Sequence, residues 1–206
     1  MYNTKIIIRN LGIKNWKTIY NSMHEFNYLR SSSTIDEVWL VEHYPVYTQG
    51  QIRNKKNIIN VTNIPIENSD RGGQITYHGP GQKLIYFLID LKRRNIHVRK
   101  LIEILEIIIL NTLKKIDILG KIKKGMPGVY IEEKKICSLG LKIKNGYSLH
   151  GLSLNIDMDL TPFQNIIPCG NKEIKMDNLS KFTSKKKLKN IENILKKNIF
   201  KEFKKY

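Results

Sequence analysis

The sequence predicts an α/β or α+β domain in which helices flank a mixed sheet. Two long segments carry apolar residues at spacings of three and four, which is typical of amphipathic helices. Several shorter segments have the length and apolar pattern of strands, and Asn145-Gly146 separates two of them in the manner of a hairpin turn. Strands and hairpins mixed with long helices favour a sheet covered by helices. We expect one domain over residues 1–206.

The first half of the chain carries mainly strand signals around one helix. Proline at position 45 interrupts the second strand near its end, because proline cannot donate to a sheet ladder. In chain order we expect a strand over 5–9, a helix over 16–26, a strand over 37–47, a polar loop over 49–69, a glycine-rich block over 71–82 and a strand over 84–91.

The second half contains the two longest helical patterns and a run of strands. The stripe over 98–116 is apolar along one face, so we assign it to the core rather than to a binding surface. In order we expect that helix, strands over 128–132, 135–143 and 147–156, a proline-containing loop over 161–170, and a lysine-rich C-terminal helix from about residue 185.

The composition excludes several classes of protein. No apolar stretch approaches the ~20 residues of a membrane span, and the N-terminal apolar run is too short for a signal-peptide core. The two cysteines, Cys137 and Cys169, lack metal-ligand spacing and cannot form a disulfide framework. We therefore expect a cytoplasmic protein with free thiols, no bound metal and no membrane association.

The net charge of +18 has three interpretations. A solvated basic face that follows the lysine, isoleucine and asparagine bias of the chain is favoured, and an acidic protein partner comes second. Nucleic acid comes last, because the chain has few arginines and no aromatic RNA-binding or helix-turn-helix pattern.

The glycine-rich block holds four glycines and one proline within residues 71–82. Its glycine spacing matches neither a Walker loop nor a dinucleotide fingerprint. An ordinary loop between strands would explain the glycines alone. The interleaved Arg71, Thr76, Tyr77 and His78 favour a binding loop, whose backbone amides can approach a ligand closely.

Lys135 opens a strand in which alternation places it on the same face as Cys137 and Leu139. Desolvation on this apolar face would favour the neutral amine and let Lys135 both donate and accept a proton. A strand-end lysine that extends to water is an equally good interpretation.

His150 shares a predicted face with Leu152 and Leu154, so we interpret it as a hydrogen-bonded core residue. The glycine that follows, Gly151, leaves room for a ligand against the strand.

The two cysteines differ in their surroundings. Cys137 lies in an apolar strand and is interpreted as a small core residue. Cys169 lies in the loop Ile167-Pro-Cys-Gly170, where an accessible thiol and a free backbone amide suit a nucleophile. Cys169 is the better candidate, although Pro-Cys-Gly alone is a weak motif.

Together, three ordered blocks resemble the octanoyltransferase family, also called lipoyl(octanoyl) transferases or lipoate–protein ligase B. They are residues 71–82, residues 135–140, and His150-Gly-Leu-Ser-Leu-Asn155 followed by Pro162-Phe163 and Pro168-Cys169-Gly170. The resemblance extends from about residue 36 to about residue 182.

The resemblance implies the fold of biotin and lipoate protein ligases and transfer of an octanoyl or lipoyl group. The implied donor is octanoyl-phosphopantetheine on acyl carrier protein, and the implied acceptors are lipoyl domains of 2-oxoacid dehydrogenases and the glycine cleavage H protein. No cofactor, ATP or metal is implied, and we expect a monomer.

The resemblance also assigns site residues. The family's acyl-thioester cysteine falls on Cys169 and its lysine partner on Lys135. The implied substrate-binding residues are Arg71, Gly72, Gly73, Gln74, Ile75, Thr76, Tyr77, His78, Ser138, Leu139, Gly140, Gly151, Leu152 and Ser153.

Two rival functions remain. An ATP-dependent lipoate ligase of the same fold needs no nucleophilic cysteine, so Cys169 argues against it. A nucleic-acid-binding module would explain the charge but neither the glycine-rich block nor Cys169.

Overall fold

The computed structural model describes residues 5–206, and residues 1–4 lie outside the described part of the chain. The helices are α1 (Trp16–Leu29), α2 (Val98–Lys114), α3 (Lys185–Lys189) and α4 (Ile191–Phe203). The strands are β1 (Ile6–Lys14), β2 (Asp36–His43), β3 (Val46–Gln49), β4 (Ile66–Asn68), β5 (Ile75–His78), β6 (Gln82–Leu88), β7 (Lys121–Lys123), β8 (Met126–Ile131), β9 (Lys134–Lys144) and β10 (Tyr147–Asn155).

The strands form two sheets of mixed direction. The larger sheet has the order β1-β2-β6-β10-β9-β8-β7, in which β1 and β2 are parallel and the other neighbours are antiparallel. The smaller sheet has the order β4-β3-β5, in which β3 is parallel to β4 and antiparallel to β5. The predicted mixed sheet is confirmed.

Helices cover both faces of the large sheet. On one face, α2 and α4 pack with side chains such as Ile85, Phe87 and Leu152 in the main core. On the other face, α1 packs Ile19 and Met23 against a second cluster of sheet residues. The flanked sheet therefore buries apolar side chains on both sides. No helix within residues 5–206 combines the length and apolar character that a membrane span requires.

Several predicted elements are confirmed. The helix over 98–116 and the three strands after it are present with ends within a few residues of those expected. Asn145 and Gly146 both have positive φ, 56° and 85°, which a tight hairpin turn of this kind requires. β10 pairs with β9 across this turn from Tyr147 to Leu154.

Other boundaries were wrong. The single strand predicted over 37–47 is two strands in different sheets, because the chain turns at Tyr44-Pro45 and the N–H of Tyr47 then donates to Pro65 O. Strand β1 is longer than predicted, β4 and β7 were not predicted, and the C-terminal helix is divided at Asn190.

A buried ion cluster joins the end of α1, the start of β2 and the segment before α2. The Asp36 side chain has no exposed surface and accepts from Arg30, Arg93 and Arg94 at 2.6–2.7 Å. It also accepts from the backbone N–H of Asp90 at 2.8 Å. The Asp36 carboxylate therefore pairs with three guanidinium groups that are shielded from water, and the Asp90 carboxylate adds a longer contact to Arg93 at 4.0 Å.

We predict that Asp36→Asn lowers the free energy of unfolding by about 3–5 kcal/mol, because it removes the charge that offsets three buried cations. Urea unfolding monitored by circular dichroism would measure this loss. Asp117→Asn is the control, since Asp117 pairs with Lys187 on the exposed surface and its loss should leave stability unchanged. Equal midpoints for both variants would contradict the role assigned to Asp36.

Candidate active site

A cavity of about 550 Å³, counted to its open mouth, lies between the glycine-rich block and the large sheet. All but one of the substrate-binding residues implied by the sequence line it. They are Arg71, Gly72, Gly73, Gln74, Ile75, Thr76, His78, Ser138, Leu139, Gly140, Gly151, Leu152 and Ser153. Cys169 lines the same cavity, so the fold brings together three blocks that are far apart in sequence.

Tyr77 is the exception. Alternation in β5 turns it away from the cavity into a separate cluster, where its ring lies 5.5 Å from that of Tyr47 and 5.6 Å from that of Phe163. Tyr77 therefore does not line the cavity, and its implied role in substrate binding stays a prediction. Tyr77 packs on the side of the glycine-rich block that faces away from the cavity.

Two glycines keep the sheet close to its neighbours. A side chain at Gly140 would lie 3.2 Å from Arg71 Cδ and from Gly72 O, so this glycine lets the block pack onto β9. A side chain at Gly151 would collide with the backbone oxygen of Ile85 on β6. Gly151 also lines the cavity, so the prediction that it leaves room for a ligand stays a prediction, and the adjacent strand is a further reason for its small size.

Lys135 and Cys169 lie in contact. The Lys135 Nζ is 3.9 Å from Cys169 Sγ and 5.5 Å from the centroid of the Tyr130 ring. Lys135 is only 3% exposed, and its backbone is held by hydrogen bonds to Lys175 O (2.8 Å) and from the N–H of Asp177 (3.0 Å). The structure thus places a buried amine beside an accessible thiol.

The predicted face of Lys135 was wrong. Of its two interpretations, a desolvated amine and a strand-end lysine that extends to water, the structure shows the buried one. Val129 pairs with Cys137 while Tyr130 pairs with Lys135, so Ile136 is an extra residue in β9. Ile136 and Cys137 consequently both pack in the main core. This bulge turns Lys135 away from the face of Cys137 and toward Cys169.

The two cysteines have opposite environments. Cys169 is exposed and sits in a short 3₁₀ turn, Pro168–Gly170, with a positive φ of 55° that few side chains adopt. Cys137 has no exposed surface, and burial raises the pKa of its thiol to about 12. Of the two thiols, only that of Cys169 is accessible to a ligand in the cavity.

A chain of buried hydrogen bonds runs beneath the cavity, and we call it the polar chain. Arg71 Nη2 donates to Thr48 Oγ1 (2.9 Å), and the Thr48 hydroxyl donates to His78 Nε2 (3.1 Å). His78 Nδ1 donates to Gln82 Oε1 (2.7 Å), and Gln82 Nε2 donates to Asn155 Oδ1 (2.9 Å). The direction of each bond follows from the Gln82 amide, whose nitrogen faces Asn155 and whose oxygen therefore faces His78.

Two groups beside Cys169 have shifted pKa values. Burial lowers the pKa of Arg71 to about 10, and a negative charge on Cys169 acts to raise it. Burial, the larger cause, and a negative charge on Cys169 raise the pKa of Tyr130 to about 12. Arg71 Nε is buried without a hydrogen-bond partner among residues 5–206, so the guanidinium keeps a free donor.

His150, on β10, also lines the cavity. Its φ is 62°, its Nε2 donates to Asp70 Oδ1 at 2.7 Å, and its ring lies 5.9 Å from that of Tyr20 in α1. The prediction that His150 shares a face with Leu152 and Leu154 was wrong, because these leucines pack in the main core on the opposite face. The donor atoms of His24, Asp70 and His150 lie within 4.8 Å of one another.

Sequence reasoning missed several residues that build the site. Trp16 and Tyr86 line the cavity, and Thr48, Asp70 and Gln82 hold its walls. Gln82 lies in the glycine-rich block that carried the family resemblance, and Thr48 lies within the range over which the resemblance extends. Nothing in the sequence indicated that Trp16, at the start of α1, would reach a cavity built from other strands.

The family model described as "Lipoyl protein ligase A/B catalytic domain" matches residues 22–206. A Buchnera aphidicola protein named octanoyltransferase is 54% identical over 196 residues, covering 95% of this chain and 93% of the relative. An Escherichia coli octanoyltransferase is 49% identical over 199 residues, covering 97% and 93%.

The chain belongs to the octanoyltransferase family. This membership confirms the resemblance recognised in the sequence and makes the chain an acyltransferase.

Solved structures confirm the fold of this octanoyltransferase-family chain. A P. falciparum protein solved with lipoate has a TM-score of 0.78 at 18% identity, over 98% of this chain and 63% of its own length. A lipoate-protein ligase A bound with ATP has a TM-score of 0.76 at 12% identity, over 96% and 84%. A biotin protein ligase from Aquifex aeolicus has a TM-score of 0.54 at 15% identity, over 100% and 71%. At these identities the likeness concerns the fold alone.

Two buried histidines are neutral at pH 7. Burial lowers the pKa of His43 to about 4 and that of His78 to about 3. Because the unfolded chain binds these protons near pH 6.5, we predict that stability falls as the pH drops from 6.5 to 4. Each histidine contributes at most about 1.4 kcal/mol per pH unit. Urea unfolding at pH 7, 6, 5 and 4 measures the slope.

Replacing His43 by Gln should flatten this slope, because one titrating group is removed. His97→Gln is the control, since His97 is an exposed capping residue of α2. An unchanged slope in His43→Gln would contradict the assignment of His43 as a buried neutral imidazole.

Proposed function

We propose that the chain transfers an octanoyl or lipoyl group from acyl carrier protein to a lysine of a lipoyl domain through a thioester on Cys169. The observation that carries this proposal is the 3.9 Å contact between the buried Lys135 amine and the accessible Cys169 thiol at the cavity wall. The cavity supplies space for the acyl chain. Cys169 supplies the nucleophile, and Lys135 supplies the group that moves protons.

In the first half-reaction, the Lys135 ammonium stabilises the Cys169 thiolate. The thiolate attacks the thioester carbonyl of the donor, forming a new carbon–sulfur bond and breaking the bond to the pantetheine sulfur. Lys135 gives its proton to the departing sulfur. The octanoyl group then rests on Cys169, and Lys135 is neutral.

In the second half-reaction, the neutral amine of the acceptor lysine attacks the Cys169 thioester. Lys135 takes the proton that the amine loses as the amide forms. The bond from the acyl carbon to Cys169 breaks, and the thiolate with its neighbouring ammonium is restored. Each proton that leaves Lys135 in the first half returns in the second.

The free energy of the thioester drives the sequence. Thioester exchange is nearly neutral and amide formation from a thioester is downhill, so we propose that no ATP, other cofactor or metal takes part. The structurally similar lipoate-protein ligase A was solved with ATP. A cysteine nucleophile distinguishes the two chemistries, because a ligase activates a free acid as an adenylate.

Negative charge develops twice on the acyl oxygen, once in each half-reaction. Backbone amides of the glycine-rich block border the cavity and are suited to hold this charge. Arg71 adds positive potential from beneath, and its Nε has no hydrogen-bond partner in the described part of the chain.

The proposed partners explain the basic surface of the chain. Acyl carrier protein and lipoyl domains are usually acidic, so a net charge of +18 would speed encounter with both. One neighbouring structure is described as a bipartite lipoate protein ligase and its E2 lipoyl domain. We propose lipoyl domains of 2-oxoacid dehydrogenases and the glycine cleavage H protein as acceptors for a cytoplasmic, monomeric enzyme.

We predict that the chain gains one octanoyl group when incubated with octanoyl-acyl carrier protein without ATP, and that Cys169→Ala does not. Intact-mass spectrometry measures the adduct. Cys137→Ala is the matched control and should be acylated normally, because its buried neutral thiol cannot take part.

A productive adduct in Cys169→Ala, or an adduct located on Cys137, would contradict the assignment. Transfer from free octanoate that depends on ATP would instead support a ligase. Binding that collapses with salt and gives no adduct would support a nucleic-acid-binding module.

We predict that Lys135→Met slows octanoyl transfer by about 10²–10⁴-fold, because it removes the group that moves protons in both half-reactions. Lys134→Met is the matched control, since Lys134 is 42% exposed and pairs with Asp177. Single-turnover rates and thermal midpoints separate chemistry from folding. A loss of rate that is equal in both variants would contradict the role of Lys135.

A further inference from the structure

We infer that His24, Asp70 and His150 together form a binding site for a divalent transition metal of the Zn²⁺ class. These residues belong to helix α1, the segment just before the glycine-rich block and strand β10, so a bound ion joins three segments around the cavity. The inference does not rest on the proposed acyl transfer, and the ion takes no part in that reaction.

The three side chains supply a donor set that zinc uses. Two imidazole nitrogens and one carboxylate oxygen occur together in zinc sites that keep a fourth position open to water. One donor atom from each residue lies within 4.8 Å of the other two. Neither the cysteine spacing nor the family resemblance implied this set, because folding alone brings the three residues together.

The spacing of the donor atoms is close to that of ligands around one ion. Two ligand atoms that each lie ~2.0–2.1 Å from a tetrahedral zinc ion are about 3.3–3.4 Å apart. His24 Nε2 is 3.4 Å from Asp70 Oδ1, which matches this spacing. His150 Nε2 is 2.7 Å from the same oxygen, so the ion takes the place of a hydrogen bond and this pair lengthens by about 0.6 Å. The ring proton of His150 then lies on Nδ1.

The two imidazole rings must also approach each other. Their centroids are 6.5 Å apart, whereas two rings on one tetrahedral ion lie about 5 Å apart. His24 makes this movement, because its side chain is partly exposed on α1. His150 stays in place, since it is 2% exposed and its φ of 62° directs the ring toward Asp70 and α1.

An unpartnered nitrogen on His24 points to a ligand. Its Nε2 atom is shielded from water and has no hydrogen-bond partner among residues 5–206. The approach to Asp70 lacks the geometry of a hydrogen bond. Because a buried polar atom without a partner is unfavourable, an ion held between His24 and Asp70 would satisfy this nitrogen.

A surface cleft gives an ion access to Asp70. The Asp70 side chain is partly exposed in this cleft. Arg53 is exposed there too, so salt weakens its repulsion of an approaching cation. The cleft has a volume of about 720 Å³, counted to its open mouth, and is lined by Tyr20, Gln51, Arg53, Asn68, Ser69 and Asp70.

The test measures Zn²⁺ binding to the full-length Cys169→Ala variant by isothermal titration calorimetry. This parent chain lacks the accessible thiol, which could also bind zinc, and the other cysteine is buried. In the same chain, His24→Phe removes one ligand and keeps a ring beside Tyr20, whose centroid lies 4.5 Å from that of His24. Asp70→Asn removes the charged ligand and keeps an oxygen that can accept from His150.

We expect one Zn²⁺ per parent chain and affinity at least about tenfold weaker after either change, because loss of a partner outside the ligand set already costs metal sites about 10–100-fold. Zinc should also raise the thermal midpoint of the parent chain more than that of either variant. His97→Phe is the matched control, since His97 is exposed and caps α2. It should bind zinc as the parent chain does.

Three results would overturn the inference: no Zn²⁺ binding by the parent chain, an affinity unchanged by both His24→Phe and Asp70→Asn, or an equal loss in His97→Phe. Far-UV circular dichroism shows whether each variant is folded, and if one is not, the other decides the test. Failure of the proposed function is a separate result, because it appears as the absence of an octanoyl adduct on Cys169 in the unaltered protein.

Discussion

The polar chain beneath the cavity is the constraint on which the site depends. It runs from Arg71 through Thr48, His78 and Gln82 to Asn155, whose amide donates to Asp177 O. The N–H of Asp177 in turn donates to the carbonyl oxygen of Lys135, whose amine contacts Cys169. A buried polar group that loses its partner costs about 1–3 kcal/mol, so the glycine-rich block and the strand that carries the amine are held in one arrangement.

Departures from regular structure place the polar groups around this cavity. The bulge at Ile136 turns Lys135 out of the core, and positive φ values at His150 and Cys169 direct an imidazole and a thiol into the lining. Such conformations cost on the order of 1–3 kcal/mol each and persist only where the surrounding structure determines them. Here the hydrogen bonds of Asp70 and the two backbone bonds of Lys135 offset that cost.

These departures from regular structure also explain which features could be predicted from the sequence and which could not. Periodicity predicted α2, and Asn145-Gly146 predicted the β9–β10 hairpin, because both depend on local patterns. The family resemblance implied 13 of the residues that line the cavity, seven of them in the glycine-rich block. Predictions from strict alternation were wrong at Ile136 and His150. One extra residue or one positive φ changes which face of the sheet the neighbouring side chains occupy. Trp16 reaches the cavity only through tertiary packing, which no local pattern records.

Burial and position in the sheet give chemically identical side chains different surroundings. Cys137 and Cys169 are both free thiols, but one is enclosed by the core, where burial favours the neutral form, and the other is exposed beside an amine. Lys134 and Lys135 are adjacent in sequence, yet Lys134 faces water and pairs with Asp177, whereas Lys135 is buried against the thiol. On β9, the side of the strand that a residue occupies decides whether it is enclosed by the core or lies beside Cys169. Because the bulge at Ile136 decides that side for Lys135, a single inserted backbone position brings its amine into contact with the Cys169 thiol.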